Sequence, residues 1–325
     1  LVIARSSFLA AGAAGTLAAA LPGAVRAADL PVVRVGKAQA ISATFLPLDV
    51  GDAAGIWRQV GIALEIENLR GDVQVQQGLT AGSIDVGLGS GPGLGFLAKG
   101  VPALGIAALA SEPYNMVLVV PPASPIKTVA DLRGKRIAVS GKGALTDWLA
   151  QQLGAQQKWP ADAIDTIPLG DPKAYVAAMK TGNVDGFIAA AELGYDLQER
   201  GEGRILVNFG TVVHDFNTHI IFARTDFVNG HPELVQKFLQ GWFTSVAYMR
   251  AHRNEAVAIG AKIEGLSPNA MRETLDAIMQ MMSKDGAFDQ RSLDHLARSF
   301  VELGILEVRP NPRDLITTKF VPVHV

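Results

Sequence analysis

Ten short runs of β-forming residues alternate with helical patterns along this chain, and no other sequence feature narrows its fold as much. The runs are Val32 to Val35, Ala63 to Glu67, Ile84 to Leu88, Ala103 to Ala110, Met116 to Val120, Arg136 to Ser140, Ile164 to Pro168, Gly186 to Ala189, Arg204 to Phe209 and His219 to Phe222. Strands separated by helices pair side by side and are covered on both faces, so the expectation is an α/β architecture with largely parallel sheets. The intervening helices carry their own boundaries. Asp171-Pro172 supplies a cap and a first-turn proline, Tyr175, Val176 and Met179 line one face, and Gly182 ends the segment. Beyond residue 230 the pattern changes to a wide helical stripe of Leu234, Phe238, Trp242 and Val246, flanked by Val235, Leu239 and Phe243. This reads as helices packed on a lobe.

With 325 residues, 49% of them hydrophobic, the chain exceeds what one core fills well, since single cores stop growing at about 250 to 300 residues. Two lobes are expected. An internal echo supports this: Leu79-Thr80-Ala81-Gly82-Ser83-Ile84-Asp85 is matched by Met179-Lys180-Thr181-Gly182-Asn183-Val184-Asp185. Each is a helix end, a turn glycine and an Asp entering a short strand, as if two α/β units shared one plan. Segments at Asn115 to Val120 and Thr218 to Phe222 would then leave each unit and form a two-stranded hinge. The expected organisation is a first lobe over 29–115, a second over 116–218, and a return to the first lobe with C-terminal helices over 219–325.

The N-terminus reads as an address. Arg5 precedes an apolar run from Phe8 to Leu21, Pro22-Gly23 break it, and Val25-Arg26-Ala27 presents small residues for cleavage after Ala27. The run is about 14 residues, short of the roughly 20 needed to cross a bilayer, so residues 1–27 are expected to be a cleaved leader. Arg5-Ser6-Ser7-Phe8-Leu9 resembles a twin-arginine signal whose second arginine is Ser6, which leaves the export route open. No cysteine occurs, so neither disulfides nor a lipid-modified cysteine are available to the exported product. A periplasmic location follows. The 29 Lys+Arg against 31 Asp+Glu provide no basic field for a phosphate backbone, which excludes nucleic acid as a partner.

Two segments resemble a known family. Residues 47–62, Pro-Leu-Asp-Val-Gly-Asp-Ala-Ala-Gly-Ile-Trp-Arg-Gln-Val-Gly-Ile, and residues 124–137, Ser-Pro-Ile-Lys-Thr-Val-Ala-Asp-Leu-Arg-Gly-Lys-Arg-Ile, are similar to segments of the solute-binding proteins for nitrate, sulfonate, taurine and thiamine-precursor import. The resemblance spans about residues 32 to 225 and implies a two-lobed periplasmic binding protein (type II-like) with two hinge crossings and a helical C-terminal tail. It implies a small-molecule solute held between the lobes and an ABC permease in the inner membrane as partner; no cofactor is expected, and a monomer is the default. Two departures stand out: Asp49 where many members carry Tyr, and Gly143-Ala144-Leu145-Thr146-Asp147 where sulfonate-binding members place hydroxyls and a histidine.

Ligands of open α/β sheets gather where strands end and helices begin. That rule selects Gln39, Ser42, Thr44 and Phe45 after the first strand, Gly71 before a helix, and Ser90 and Gly91 in a glycine-rich loop with room for close backbone approach. In the second lobe it selects Lys142, Gly143 and Thr146 at a helix start suited to an anion, and Glu192 for a cationic or hydrogen-bond-donating group. At the crossings stand Ser111, Tyr114 and Asn115, with His214 and Asn217, and Tyr114, Phe45 and Trp148 offer surfaces for a flat ligand.

Catalytic alternatives have thin support. The six histidines are dispersed, with no metal-type spacing, and no nucleophile elbow or Walker loop occurs. Gly93-Leu94-Gly95-Phe96-Leu97-Ala98 matches a loose dinucleotide pattern, G-x-G-x-x-A, which is the basis for a periplasmic NAD(P)-dependent oxidoreductase reading. An enzyme built on the same two-lobed fold is the other alternative. The Met271, Met279, Met281 and Met282 group behind Ser267-Pro268 reads as core packing.

Overall fold

A computed structural model describes residues 30–39 and 42–325, so the expected leader over 1–27 lies outside the described residues. In chain order the elements are β1 (Val32–Lys37), α1 (Leu46–Ala53), α2 (Ile56–Gln59), β2 (Ala63–Asn68), α3 (Asp72–Ala81), β3 (Val86–Ser90), β4 (Ala103–Ala110), β5 (Met116–Val120), β6 (Arg136–Val139), α4 (Leu145–Gln156), β7 (Asp165–Pro168), α5 (Pro172–Lys180), β8 (Gly186–Ala190), α6 (Ala191–Glu199), β9 (Arg204–Asn208) and β10 (His219–Arg224). Five further helices close the chain: α7 (Thr225–Gly230), α8 (Pro232–Ala251), α9 (Arg253–Glu264), α10 (Pro268–Met281) and α11 (Gln290–Glu302). Every strand expected from the sequence forms, with ends displaced by at most two residues.

The strands build two five-stranded sheets, ordered β2-β1-β3-β10-β4 and β7-β6-β8-β5-β9. The expectation of largely parallel sheets is corrected here. In the first sheet β1 pairs in parallel with β2 and β3, but β10 runs antiparallel to both β3 and β4. The second sheet repeats this pattern, with β6 parallel to β7 and β8, and β5 antiparallel to β8 and β9. The antiparallel member of each sheet is the strand that arrives from the other unit. A strand entering from outside the βαβ sequence is under no requirement for a parallel crossover.

The sequence echo has a physical basis in this shared plan. In the first unit the Arg34 guanidinium donates to both Asp85 carboxylate oxygens, at 3.0 and 2.5 Å, and to the Gly82 carbonyl at 2.7 Å. In the second, Arg136 donates to both oxygens of Asp185, at 3.2 and 3.1 Å, and to the Gly182 carbonyl at 2.9 Å. Gly82 and Gly182 adopt φ of 74° and 72°, the left-handed conformation that turns each helix end toward its strand. Arg224 of β10 adds a third charge to the first unit only, 3.1 Å from Asp85.

The C-terminal helices cover the first sheet and lean across the gap. Val235, Phe238, Leu239, Trp242, Phe243 and Val246 of α8 are buried, and Trp57 stacks on Phe238 at 5.5 Å. Met271, Met281 and Met282 are core residues, as expected, and Met279 is half-buried against the same core. Two bridges join the units beyond the crossings. On one edge the Trp148 Nε1–H of α4 donates to Glu302 Oε2 of α11 at 2.6 Å, and the Trp148 ring stacks on Phe216 at 4.7 Å. On the other edge α6 packs along α10, with Ser267 hydrogen-bonded to Glu199.

Candidate functional site

The ends of β1 and β8 point into the space between the two sheets, and the chain continues from them into helix starts that face each other. After β1 the backbone enters a 3-10 turn, Ala43–Phe45, that leads into α1. After β8 it enters α6 at once, which places Glu192 in the first turn. Asn115, at the first crossing, ties the two together. Its Nδ2 donates to Thr44 Oγ1 at 3.1 Å, and its carbonyl accepts from the Ala191 N–H at 2.8 Å. With that orientation Asn115 Oδ1 is buried without a partner.

Around this junction the charges are mostly acidic. Burial pushes the Glu192 carboxyl up to about 7, only partly offset by its own backbone N–H and that of Ala43. Glu264, from the end of α9, is pushed up to about 8 by burial and by the Glu192 charge, with Lys37 pulling the other way, Asp49 adding to the rise and the Ser42 N–H opposing it. Asp49 is raised by burial against the pull of Lys37, whose Nζ is 3.9 Å away. Lys37 is buried, and among the described residues it is the one cation acting on Glu264, with none acting on Glu192. His219 at the start of β10 meets Phe45 edge-on at 5.8 Å, and burial lowers its imidazole to about 4, so it is neutral at physiological pH.

The residues expected from the sequence divide into those that reach this junction and those that do not. Ser42, Thr44, Phe45, Asn115 and Glu192 are gathered there, Gln39 is exposed nearby, and the buried Asn217 lies on the second crossing with its Nδ2 unpaired. Ser90 is consumed locally, its Oγ and N–H both donating to Asp72, at 2.5 and 2.7 Å. Gly91 is bare for a different reason from the one expected: an added Cβ would stand 1.8 Å from the Asn217 carbonyl oxygen, so the glycine lets the second crossing pass. Gly71 is exposed at φ 85° ahead of α3. Ser111 binds the Met281 carbonyl through its N–H and hydroxyl, Tyr114 lies flat on Gly210, and His214 is exposed with its carbonyl near His295. Trp148 offers no free face because it is fully buried in the stack with Phe216.

The anion pocket expected at Lys142, Gly143 and Thr146 is not what the structure builds. The Gly143 N–H donates to Asp147 Oδ2 at 2.9 Å, the Ser140 N–H to Thr146 Oγ1 at 2.9 Å, and Lys142 turns to Thr166 and to Asp147, 3.9 Å away. Asp147 is 3% exposed, so the start of α4 already holds its own buried carboxylate. The dinucleotide pattern fails on similar grounds. Gly91–Lys99 is a 3-10 segment whose Gly93 faces Gln76, Phe222 and Asp72 and whose Gly95 faces Phe300 and Ile305, so its glycines serve packing.

Sequence reading missed Lys37 and Glu264. Lys37 carried a usable signal, as a lysine closing an apolar strand at its carboxyl end; Glu264 carried none, since only packing of α9 beside α1 brings it here. A cavity of about 260 Å³ between α4 and β7 and another of about 490 Å³ beside α8 each draw their walls from one part of the chain, residues 142–166 and 232–322. Neither touches both units. Among the described residues no three His, Cys, Asp or Glu are grouped to hold a metal ion, and no helix is long and apolar enough to cross a membrane.

Comparison with known proteins locates the chain among its relatives. Residues 42–256 match the family model described as NMT1/THI5 like. A Bacillus subtilis (strain 168) protein named for binding aliphatic sulfonates is 24% identical over 249 residues, 76% of this chain and 74% of the relative. The periplasmic aliphatic sulphonate binding protein SsuA from Escherichia coli superimposes with a TM-score of 0.75 at 21% identity, covering 90% of this chain and 93% of that one. The desulfurization enzyme DSZB shares the fold as well, with a TM-score of 0.63 at 16% identity over 89% of this chain and 97% of that one.

Proposed function

This chain belongs to the NMT1/THI5-like family, and from that premise we propose that it is the periplasmic solute-binding component of an ATP-driven importer. It captures a small solute between its two units and presents the closed form to a membrane permease. The observation that carries this reading is the junction of Thr44, Asn115 and Ala191, where one unit, a crossing and the other unit meet around buried polar groups. A solute that contacts both sides binds the closed arrangement more tightly than an open one and so shifts the population toward closure. No bond is made or broken. Selectivity arises because a poorly matched solute leaves buried polar atoms unpaired, at about 1 to 3 kcal/mol each. The relatives named for sulfonates put sulfonates in the first panel to try, beside nitrate, taurine, aromatic acids, pyrimidines and amines.

The likeness to DSZB favours a second reading, an enzyme on this fold. A related DSZB structure is that of a cysteine-to-serine mutant, and no cysteine occurs in these 325 residues. A thermal-shift screen of the exported form separates the two readings. A cognate solute at 100 times its Kd adds about 2.7 kcal/mol to stability, and it is expected to change Trp148 emission without being consumed. Turnover of the bound compound by the protein alone would replace the importer reading with the enzyme.

A further inference from the structure

The junction between the units gathers acidic side chains and an unpaired amide oxygen, with the unpaired Asn217 Nδ2 and His219 Nδ1 on the second crossing. Glu192 and Glu264 converge from α6 and α9, Asp49 stands beside them on α1, and Asn115 adds its side-chain Oδ1. Asn115 is 5% exposed, its Nδ2 is held by Thr44, and its Oδ1 is unpartnered; Glu264 Oε2 is likewise without a hydrogen bond. Among the described residues Lys37 is the one cation acting on Glu264 and Asp49, and its Nζ is 3.9 Å from Asp49. Glu192 accepts its own N–H and that of Ala43, and Glu264 that of Ser42, but Asn115 Oδ1 and Glu264 Oε2 remain buried without a donor, at about 1 to 3 kcal/mol for a neutral group and more for a charged one. Groups perturbed in this way cluster at functional sites. The start of α4 in the second unit, where an anionic solute would find free backbone N–H groups, is already occupied by Asp147.

We infer that the solute carries a positively charged nitrogen, an ammonium or amidinium group, and that Glu192, Glu264 and the Asn115 side-chain Oδ1 receive its N–H donors. This rests on the binding-protein reading and narrows it to a cationic substrate class. Charge neutralisation by the ligand completes the closed state, because Glu192 lies on the second unit and Glu264 on helices packed against the first. The groups facing Glu192 and Glu264 are Lys37 of β1, Asp49 of α1 and each other, with neutral His219 beyond Phe45. Binding a cation therefore favours the ionised carboxylates and releases protons wherever they are held protonated beforehand.

The test is isothermal titration of the full exported chain with methylammonium, benzylammonium and benzamidine, against benzenesulfonate as the anionic counterpart, at about pH 6 and about pH 8.5. At least one cation is expected to bind, about tenfold or more tightly at the higher pH, with proton release seen as a buffer-dependent heat. Glu192→Gln and Glu264→Gln are each expected to weaken the cation about tenfold or more and to leave the melting temperature equal or higher, which shows that the variants fold. Failure of all three cations to bind, or affinity unchanged in both variants, overturns the proposal. Tighter binding of benzenesulfonate overturns it too, while leaving the binding-protein reading in place; turnover without retention would instead sink that broader reading.

Discussion

At the residue scale the unusual groups are the carboxyls of Glu192 and Glu264 and the imidazole of His219. Both carboxyls sit above the ordinary glutamate value of 4.5, at about 7 and about 8. A group raised in the folded state contributes stability below its unfolded value and loses it as pH climbs through the folded one. His219 is lowered from 6.5 to about 4, so the fold loses stability as pH falls through that interval. Without solute the melting temperature should decline from mildly acidic pH toward pH 8, and Glu192→Gln with Glu264→Gln should flatten that decline. Calorimetry across the range checks it; an alkaline slope equal to that of the parent protein would show the carboxyls are not buried as described.

At the scale of elements, the two Arg–Asp–Gly modules do the same job under different exposure. Asp85 has a side chain 7% exposed and is bound by Arg34 and Arg224, whereas Asp185 is 31% exposed and bound by Arg136 alone. Burial by itself would raise both carboxyls, but the facing arginine side chain and backbone N–H outweigh it and hold them below the usual range. The stability they contribute is therefore present above the unfolded carboxyl value and lost as pH falls through the lower folded one. Asp85→Asn is expected to cost about 3 to 5 kcal/mol, because it leaves two arginines around a neutral group. Asp185→Asn should cost about 1 kcal/mol. Denaturant melts decide; equal costs would mean burial does not set the value of these modules. This level was the most legible in sequence, since Gly82 with Asp85 and Gly182 with Asp185 stand at fixed local spacing. The arginine partners were not, because β1 reaches Asp85 only through sheet pairing.

For the whole molecule, the relevant quantity is the balance between closed and open arrangements. Trp148 and Gln152 of α4 reach Glu302 of α11, Trp148 stacks on Phe216 of the second crossing, and α6 runs along α10 at the opposite edge. A charge-assisted hydrogen bond such as Trp148 to Glu302 contributes about 1.5 to 3 kcal/mol, and it exists only when the units are together. Glu302→Ala should weaken solute binding about tenfold with no loss of helix or sheet signal, and small-angle scattering should show a more open molecule without ligand. Unchanged affinity and unchanged dimensions would remove this contact from the closing equilibrium.

Sequence alone determined the strands, the ends of the helix between Asp171 and Gly182, the start at Ser267-Pro268 and the repetition of one α/β plan, because alternation, caps and turn glycines act between residues a few positions apart. It also pointed to Thr44 and Glu192 through the rule that ligands gather where strands end, and to Asn115 as a residue of the first crossing. Tertiary structure alone decided that each sheet takes in a strand from outside its own unit, that Gly91 yields space to a crossing chain, and that Asp147 fills the start of α4. It decided as well that Lys37, Asp49, Glu192 and Glu264 share one environment. Burial and electrostatic coupling depend on distance in space, and residues so far apart in the chain have no common local pattern from which that distance can be read.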